Sequence, residues 1–487
     1  MGMEMKNENE GNEGNEEGKR GNEGNEEHEL NETQIIRSEF PALLLLLSVF
    51  LVSLLAINSL NPMLYWDENV YLGNARSHLG ESNFTEDFRF PLIEYIIAGV
   101  WFFTGESVFI ARLIVILFSV SSILLLYLIA REYFSSGLSL FLCVLFAFSP
   151  LMLLWGFRVG TDVPAMFFIT LSFYFLIKGN NKMIFAALAG ITAAAAFLTR
   201  FSTGLFALPV LIYFIVNKKP KELMLFIIFF IITVSPWLIY NQAAYENPVW
   251  DLQEQYSVVA KWTYPEPAVK QIMNFFDFTN ILIPILLVFG IYAVLKAGKL
   301  NYKLNLLILV YVIMSFITYL FFVNLKEARY YLMFLPFIYI VSFSGLSWLE
   351  LNKNKIFILV FSILIVAFLS ESFFMASFIP AKTPCETDNS ITKSADYLKY
   401  KTTTCDVILT NIPPWIGYPL NVKAYSLQHE NVTGLLEMYN FTYIVYNDRE
   451  GSKYNREVLD NASVLELERI FTGKCDENTY VYKAVNK

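Results

Sequence analysis

The sequence has 487 residues, of which 55% are hydrophobic and 16% charged, and this composition is too apolar for a water-soluble globular protein. The formal net charge is −8, but residues 1–40 alone hold twelve Glu against four Lys or Arg, so the rest of the chain is neutral overall. The composition therefore indicates a lipid bilayer as the main partner and gives no reason to expect nucleic-acid binding.

Residues 1–40 are predicted to form a disordered, acidic, cytoplasmic tail. The segment repeats Gly-Asn-Glu-Gly-Asn-Glu-Glu from Gly11 and again from Gly21. It has too little apolar surface to offset the entropy of ordering a backbone. Because it lacks the apolar core and cleavage site of a signal peptide, we expect the first apolar helix to be an uncleaved anchor.

Residues 41–378 are predicted to form a transmembrane region, because about eleven apolar runs are long enough to cross a bilayer as helices. Lys and Arg are concentrated in alternate short loops, which the positive-inside rule places in the cytoplasm. The other loops then face outward, and N-x-S/T acceptor sites at Asn83, Asn431, Asn440 and Asn461 agree with this topology. The predicted crossings begin near Pro41, Arg112, Ser139, Pro164, Met183, Gly204, Leu223, Thr279, Leu304, Tyr331 and Ile356.

Two long outer loops, 58–90 and 241–277, separate some of these crossings. The apolar stretch 91–104 is short for a full span, so we expect it to form a helix lying along the outer interface. Trp250 and Trp262 in the second loop are of the residue type that prefers the headgroup layer.

Residues 379–487 are predicted to form a small extracytoplasmic α/β domain with an accessory role. Short β-rich runs at 407–409, 443–446 and 480–482 alternate with helical patterns such as 433–439. Cys143 lies in an apolar run, whereas an oxidising compartment could pair two of Cys385, Cys405 and Cys475, and the sequence does not specify which two. The predicted fold class is thus an all-α polytopic membrane protein with a small C-terminal α/β domain.

Charged residues at the outward ends of the predicted helices mark a candidate site. Asp67 and Glu68 are adjacent and follow the first membrane helix closely. Each cation of the set could instead contact lipid headgroups, but their common depth and side favour one polar cavity beneath the outer surface. The other charged residues of the set are Arg89, Arg158, Asp162, Arg200, Lys326, Glu327 and Arg329.

Several cations beside an apolar groove favour a lipid phosphate as the ligand, since guanidinium and ammonium groups recognise phosphate. If the reaction is sugar transfer, the phosphate leaving group needs little protonation, so one carboxylate acting on the acceptor hydroxyl suffices. Asp67 is the best placed for that role. Nucleotide sugars do not cross a bilayer unaided, so a transferase of the outer face requires a lipid-carried sugar.

The order of five short motifs resembles that of a known superfamily. The motifs are Asp67-Glu68, Arg89-Phe90-Pro91-Leu92, Arg158 to Pro164, Thr199-Arg200 and Lys326 to Pro336. Together they resemble the GT-C superfamily of integral membrane glycosyltransferases, specifically the branch of dolichyl-phosphate-mannose protein mannosyltransferases and bacterial lipid A aminoarabinose transferases. The resemblance covers most of residues 41–350.

The resemblance implies roles for individual residues. Asp67 inherits the catalytic role, with Glu68 beside it, and the late motif implies donor-phosphate binding by Arg329 and Lys326. The common position of the charged residues on one face adds Arg200 and Arg158 around the phosphate, with Tyr330 next to Arg329. Arg89 and Asp162 are expected to contact the acceptor or to support the site.

Metal binding is not expected from the same comparison. Asp162 occupies the place where oligosaccharyl transferases of the superfamily carry a metal-binding acid, but Gly160 stands where a second acid would be needed. The missing acid argues against a bound metal, a divalent metal stays an open alternative, and no other cofactor is implied. The Trp-Trp-Asp-Tyr-Gly motif of oligosaccharyl transferases is absent, which argues against transfer of a whole glycan to Asn.

The leading hypothesis is an inverting transferase that moves a mannose-like hexose from a polyprenyl or dolichyl phosphate to a hydroxyl of a protein, lipid or glycan. A prokaryotic plasma membrane, with an archaeal origin favoured, suits such donors. Two alternatives differ in class. A transporter or flippase would need charged or broken helices near the bilayer midplane, and neither these nor an inverted repeat is found in the sequence. In a non-catalytic partner-binding protein, the charged residues would be scattered.

Overall fold

The computed structural model describes residues 40–179, 182–262, 266–279, 283–296, 302–351, 389–427, 440–448, 453–473 and 477–485, together with positions 362, 363, 365, 366 and 370. The chain divides into two units, Met1–Val49 and Phe50–Lys487. In the first, the described residues belong to the start of the helix Phe40–Leu60. The predicted tail therefore lies outside the described residues except for Phe40, and the site belongs to the second unit.

Helices form nearly all of the described chain up to residue 351. Two 3-10 segments, Phe201–Phe206 and Ala328–Phe334, lead directly into α-helices. The α-helices are α1 (Phe40–Leu60), α2 (Trp66–His78), α3 (Leu92–Thr104), α4 (Val108–Ala130), α5 (Ser136–Ala147), α6 (Pro150–Trp155), α7 (Asp162–Lys178), α8 (Met183–Thr199), α9 (Ala207–Val216), α10 (Pro220–Tyr245), α11 (Trp250–Trp262), α12 (Ala268–Phe278), α13 (Ile283–Lys296), α14 (Tyr302–Phe321) and α15 (Leu335–Leu351).

Four of the described helices are long and apolar enough to cross a membrane, judged by length and composition: Phe40–Leu60, Val108–Ala130, Pro220–Tyr245 and Ala328–Ser347. Only 17% of the most apolar window of Pro220–Tyr245 is buried inside the protein, so most of this surface is available to lipid. Shorter apolar helices begin near Ser139, Met183, Gly204, Thr279 and Leu304, and α7 begins near Pro164. The predicted start at Ile356 lies outside the described residues. These features indicate an integral membrane protein, and the number of about eleven crossings stays a prediction.

The first outer loop contains a helix that the hydrophobic pattern does not reveal. α2 is polar on average, yet Glu68, Asn69 and Asn74 are buried within it along with the apolar residues Val70 to Leu72. Its sequence has no apolar stripe because every face meets protein. Its end charges suit a helix dipole, with Asp67 and Glu68 in the first turn and Arg76 in the last.

α3, Leu92–Thr104, coincides with the stretch predicted to lie along the outer interface, and that placement stays a prediction. The second predicted loop, 241–277, is also largely helical, since it contains α11 and most of α12. The chain between the predicted crossings is therefore more ordered than the sequence pattern indicates.

The C-terminal region, residues 389–485, contains a five-stranded mixed sheet with strand order β2-β1-β3-β5-β4. β1 pairs in parallel with β2 and β3, whereas β5 pairs antiparallel with β3 and β4. The predicted β-rich runs are all strands, and the predicted helical pattern at 433–439 lies outside the described residues. The elements are α16 (Ser390–Leu398), β1 (Val407–Thr410), α17 (Pro413–Leu420), β2 (Lys423–Ser426), β3 (Tyr443–Asn447), α18 (Lys453–Asp460), β4 (Leu465–Thr472) and β5 (Asn478–Ala484).

Candidate active site

The two adjacent carboxylates of α2 lie in different surroundings. The Asp67 side chain keeps 20% of its surface accessible, whereas Glu68 keeps 1%. Consecutive helix residues point about 100° apart, so one residue can face a cavity while its neighbour faces the core. Asp67 is thus the carboxylate that solvent or a substrate can reach.

Asp67 lies between two arginines from distant parts of the chain. Its Oδ2 accepts a hydrogen bond from Arg329, in the 3-10 segment before α15, and its Oδ1 lies 3.6 Å from Arg89 Nη2. Arg89 is itself held by Glu86, whose Oε2 is 2.9 Å from Arg89 Nη2. Burial alone would raise the pKa of Asp67, but the positive charges of Arg329 and Arg89 lower it to about 2. Asp67 is therefore ionised at neutral pH.

Asp162, the first residue of α7, forms the second anionic point of the site. Arg200 Nη1 lies 3.0 Å from Asp162 Oδ1 and also donates to Thr161 Oγ1 at 3.0 Å. Arg329 Nη1 is 4.0 Å from Asp162 Oδ2, so Arg329 joins the two carboxylates. These contacts unite the ends of α2, α7 and α8 with the 3-10 segment that begins at Ala328.

Aromatic rings also contact three cations of this cluster, Arg158, Arg200 and Arg329. The Arg158 guanidinium carbon is 3.3 Å from the centroid of Tyr65 and 5.2 Å from that of Trp155. Arg329 lies 5.2 Å from the same Trp155 ring, and Arg200 lies 5.2 Å from the ring of Tyr330. Such faces fix the position of a guanidinium through attraction to the ring without neutralising its charge.

Glu68 is bound within the protein rather than directed towards Asp67. Its two oxygens accept from Arg112 Nε at 2.8 Å and Arg112 Nη2 at 2.9 Å, and Oε1 also accepts from the Val159 backbone N–H at 3.1 Å. Oε2 accepts from the Tyr65 N–H at 3.0 Å, which closes the first turn of α2. This arrangement suits a residue that fixes α2 against α4.

Lys326 is not brought into the cluster. Its ammonium donates to the carbonyls of Tyr319 and Leu320, at 3.0 and 2.9 Å, at the end of α14. These carbonyls have no partner further along the helix, so a cation there satisfies them. Lys326 as a whole is 4% exposed. Its ammonium supports the turn that presents Arg329.

The described residues contain no group of three or more His, Cys, Asp or Glu side chains arranged to hold a metal ion. Asp162 is paired with Arg200 and approached by Arg329, so the charged side chains next to it are cations. A metal ion in this position would be repelled by the two arginines.

The sequence of residues 89–240 matches the model of a protein family described as dolichyl-phosphate-mannose-protein mannosyltransferase. This segment includes Arg89, Arg158, Asp162 and Arg200. No curated protein matches the sequence.

Solved structures extend the similarity to nearly the whole chain. ArnT from Cupriavidus metallidurans, bound to undecaprenyl phosphate, aligns with a TM-score of 0.66 and 13% identity over 90% of this chain and 97% of its own. AglB from Archaeoglobus fulgidus, an archaeal oligosaccharyltransferase in complex with an inhibitory peptide and a dolichol-phosphate, aligns with a TM-score of 0.54 and 13% identity over 82% of this chain and 69% of its own. The arabinofuranosyltransferase AftD from Mycobacteria gives 0.54 and 13% over 91% of this chain and 42% of its own.

The chain has the GT-C fold. The resemblance predicted from the five motifs is thereby confirmed, and the matched family indicates a membrane glycosyltransferase.

Within the GT-C fold, the charged residues singled out from sequence largely converge. Arg329 contacts Asp67 and approaches Asp162, while Arg200 pairs with Asp162 and Arg89 faces Asp67. This gathering is what a single site requires, and it differs from the scattered charges expected of a non-catalytic partner-binding protein.

Four residues that contact this cluster or support it were not among those predicted from the sequence. Arg112, inside an apolar run, was the most visible signal, since a buried cation needs a partner. Glu86 stands three residues before Arg89, a spacing that brings two side chains together in a turn. Tyr65 and Trp155 gave no signal, because aromatic residues near helix ends are common in membrane proteins.

Proposed function

We propose that this protein transfers a sugar, with a mannose-like hexose favoured, from a polyprenyl or dolichyl phosphate to an acceptor hydroxyl on the extracytoplasmic face. The observation that carries the proposal is the bridge made by Arg329 between Asp67 and Asp162. It supports the proposal because a carboxylate and guanidinium groups, which recognise phosphate in general, lie together in one cluster. The matched family and the lipid phosphates bound to ArnT and AglB support a donor of this chemical class.

In the proposed reaction, the acceptor oxygen attacks the anomeric carbon while the bond from that carbon to the phosphate oxygen breaks. Asp67 takes the hydroxyl proton, and the polyprenyl phosphate leaves with the bonding electrons. A single displacement of this kind inverts the anomeric configuration. Arg329, Arg200 and Arg158 would hold the phosphate, whose negative charge grows as the bond breaks.

The paired state of Asp67 suggests how donor and base are coupled. A carboxylate with a pKa of about 2 is a poor base. A phosphate bound to Arg329 would draw its guanidinium away from Asp67 and raise the pKa of that carboxyl. Asp67 would then become more basic when the donor is present. Glu68, predicted to act with Asp67, is assigned to positioning α2 because its oxygens are bound to Arg112.

The test compares the purified protein with Asp67→Asn and with the matched control Asp87→Asn, an exposed acid of the same outer segment. Transfer or hydrolysis of dolichyl phosphate carrying radiolabelled mannose is measured, followed by a panel of other polyprenyl-phosphate sugars. We expect Asp67→Asn to lower kcat by about 10²- to 10⁴-fold, as for loss of a general base. The Asp87→Asn variant should retain wild-type activity.

Equal activity of Asp67→Asn and the wild type would remove Asp67 from the mechanism. Movement of intact donor across vesicles, without consumption of its sugar, would instead favour the transporter alternative. The donor panel also decides which sugar and which polyprenyl chain the protein accepts.

A further inference from the structure

The C-terminal region packs directly on the helix that carries Asp67. The Trp415 indole N–H, on α17, donates to the carbonyl oxygen of Leu64 at 2.7 Å. The Trp415 ring also meets Trp66 edge to face, with centroids 5.4 Å apart. Leu64 and Trp66 lie three residues and one residue before Asp67, so both contacts fall on the start of α2.

The other end of the same interface is held by polar contacts. Arg76, in the last turn of α2, donates to the carbonyl oxygen of Tyr418 at 2.8 Å, and the Tyr418 hydroxyl donates to Glu106 at 2.9 Å. Asn421, which ends α17 in the left-handed conformation, accepts from the Asn83 backbone N–H at 2.9 Å. α17 therefore follows α2 from its first turn to its last.

Between these ends, the ring of Phe84 fills the space between α2 and α17. Phe84 is 4% exposed and lies against Gly73 of α2 and Gly417 of α17. A Cβ at Gly417 would come within 2.4 Å of Phe84 Cδ2, and one at Gly73 within 3.0 Å of Phe84 Cδ1. Such contacts leave no room for α17 to slide or tilt without displacing Phe84.

From these contacts we infer that α17 is a positioning element for the candidate site, with Trp415 as the residue that fixes the first turn of α2 and hence Asp67. Two supports then act on this turn from separate parts of the chain, Glu68 through Arg112 and Leu64 through Trp415. A base must reach the acceptor proton at hydrogen-bond distance, so a small displacement of the turn matters. This role would explain why the proposed transferase has a C-terminal α/β region. The inference rests on the proposed function.

The experiment compares Trp415→Phe with Tyr418→Phe. The first change removes the N–H that binds Leu64 and keeps an aromatic ring against Trp66. The second removes one hydrogen bond from the far end of the same helix and serves as the matched control. For both variants, kcat and KM for dolichyl-phosphate mannose, the pH dependence of kcat/KM and amide hydrogen exchange over residues 64–72 are measured in the full-length protein.

We expect kcat of Trp415→Phe to fall on the order of tenfold or more, with KM for the donor within about twofold, because the base and not the phosphate site is displaced. Exchange over residues 64–72 should become faster. The charged and titratable groups facing Asp67 are Arg329, Arg89, Arg200, Glu68, Glu86 and Tyr71. A looser contact with Arg329 raises the pKa of Asp67, so the acid limb of kcat/KM should move to higher pH. Tyr418→Phe should leave all of these values unchanged.

The inference is overturned if exchange over residues 64–72 is the same in Trp415→Phe and the wild type. It is also overturned if the two variants lose activity equally with no movement of the acid limb, since that pattern reports a general loss of folded protein. If Trp415→Phe does not fold, Trp66→Phe is measured in its place, because it reduces the same ring contact from the α2 side. If the wild type consumes no donor, the proposed function fails, while the exchange measurement still decides whether Trp415 restrains α2.

Discussion

At the residue scale, the pair Asp67 and Glu68 shows that adjacent acids can be separated in role by their partners. Asp67 keeps a fifth of its side-chain surface accessible among arginines that a phosphate could engage. The Glu68 oxygens accept hydrogen bonds from Arg112, Val159 and Tyr65. The first arrangement can exchange partners when a ligand enters, whereas the second cannot do so without opening the core.

Arg112 gives a stability prediction at this scale. Its guanidinium also donates to Asn58 Oδ1 at 2.9 Å and to the carbonyls of Asn61 and Met63 at 2.6 and 2.9 Å. Arg112→Met would leave Glu68 as a buried charge without its cation, a change that costs about 3–5 kcal/mol. The free energy of unfolding, followed by thermal melting in detergent micelles, should fall accordingly.

The control for this prediction is Lys182→Met, which removes an exposed cation from another loop. We expect its effect to be within about 0.5 kcal/mol, as for most surface changes. A melting temperature of Arg112→Met equal to that of Lys182→Met would show that the Glu68–Arg112 pair contributes little. The double variant Glu68→Gln with Arg112→Met should recover part of the loss, because it removes the uncompensated charge.

At the element scale, α3 is joined to α2 by a buried carboxyl. Glu94, on α3, is 3% exposed and accepts from Asn74 Nδ2 at 2.7 Å, with His78 Nε2 3.3 Å away. Asn74 also pairs with both backbone polar groups of Glu86, the residue that holds Arg89. One polar network therefore connects α2, α3 and the segment leading to Arg89.

This network predicts a pH-dependent stability. Burial raises the pKa of Glu94 to about 7, with Asn74 and His78 partly opposing it. The folded protein thus retains a proton that the unfolded chain loses, so the stability contribution is full below the unfolded pKa of about 4.3 and is lost as pH rises towards 7. Glu94→Gln removes the ionisation and should stabilise the protein at pH 8 by about 1–3 kcal/mol, with no gain at pH 4.

The measurement is the melting temperature of wild type and Glu94→Gln at pH 4 and pH 8. Glu81→Gln, which changes an exposed acid shortly after the end of α2, is the control and should show no pH-dependent difference. A gain for Glu94→Gln that is equal at both pH values would show that Glu94 does not change its ionisation between them.

The elements also show which features could be predicted from sequence. Apolar runs and β-rich runs follow a periodic pattern, so most helices before residue 351 and the strands β1, β3 and β5 appear where they were expected. α2 could not be predicted in this way, because it is a polar helix buried by tertiary packing. The convergence of Asp67, Arg200 and Arg329 was predictable because charge chemistry and topology agree there, and their roles stay predictions. Lys326 does not join the cluster as predicted, because carbonyls at the end of α14 bind its ammonium.

At the scale of the whole molecule, the contact between Trp415 and Trp66 requires the C-terminal region and the candidate site to lie on the same side of the membrane. An odd number of crossings would place the tail at residues 1–40 on the opposite side. The topology can therefore be decided from the two ends of the chain, without counting the crossings between them.

Cys405 offers the direct test, because it is exposed and carries a free thiol, whereas Cys143 is buried. Cys385 and Cys475, which lie outside the described residues, are first replaced by Ser. In intact cells, a membrane-impermeant maleimide should then label Cys405 without permeabilisation, and Cys405→Ser should abolish the signal. In a background that also carries Cys405→Ser, Asn7→Cys should be labelled only after permeabilisation. If Cys405 instead requires permeabilisation, Asp67 faces the cytoplasm, where nucleotide sugars are present and the reason for a lipid-carried donor is lost.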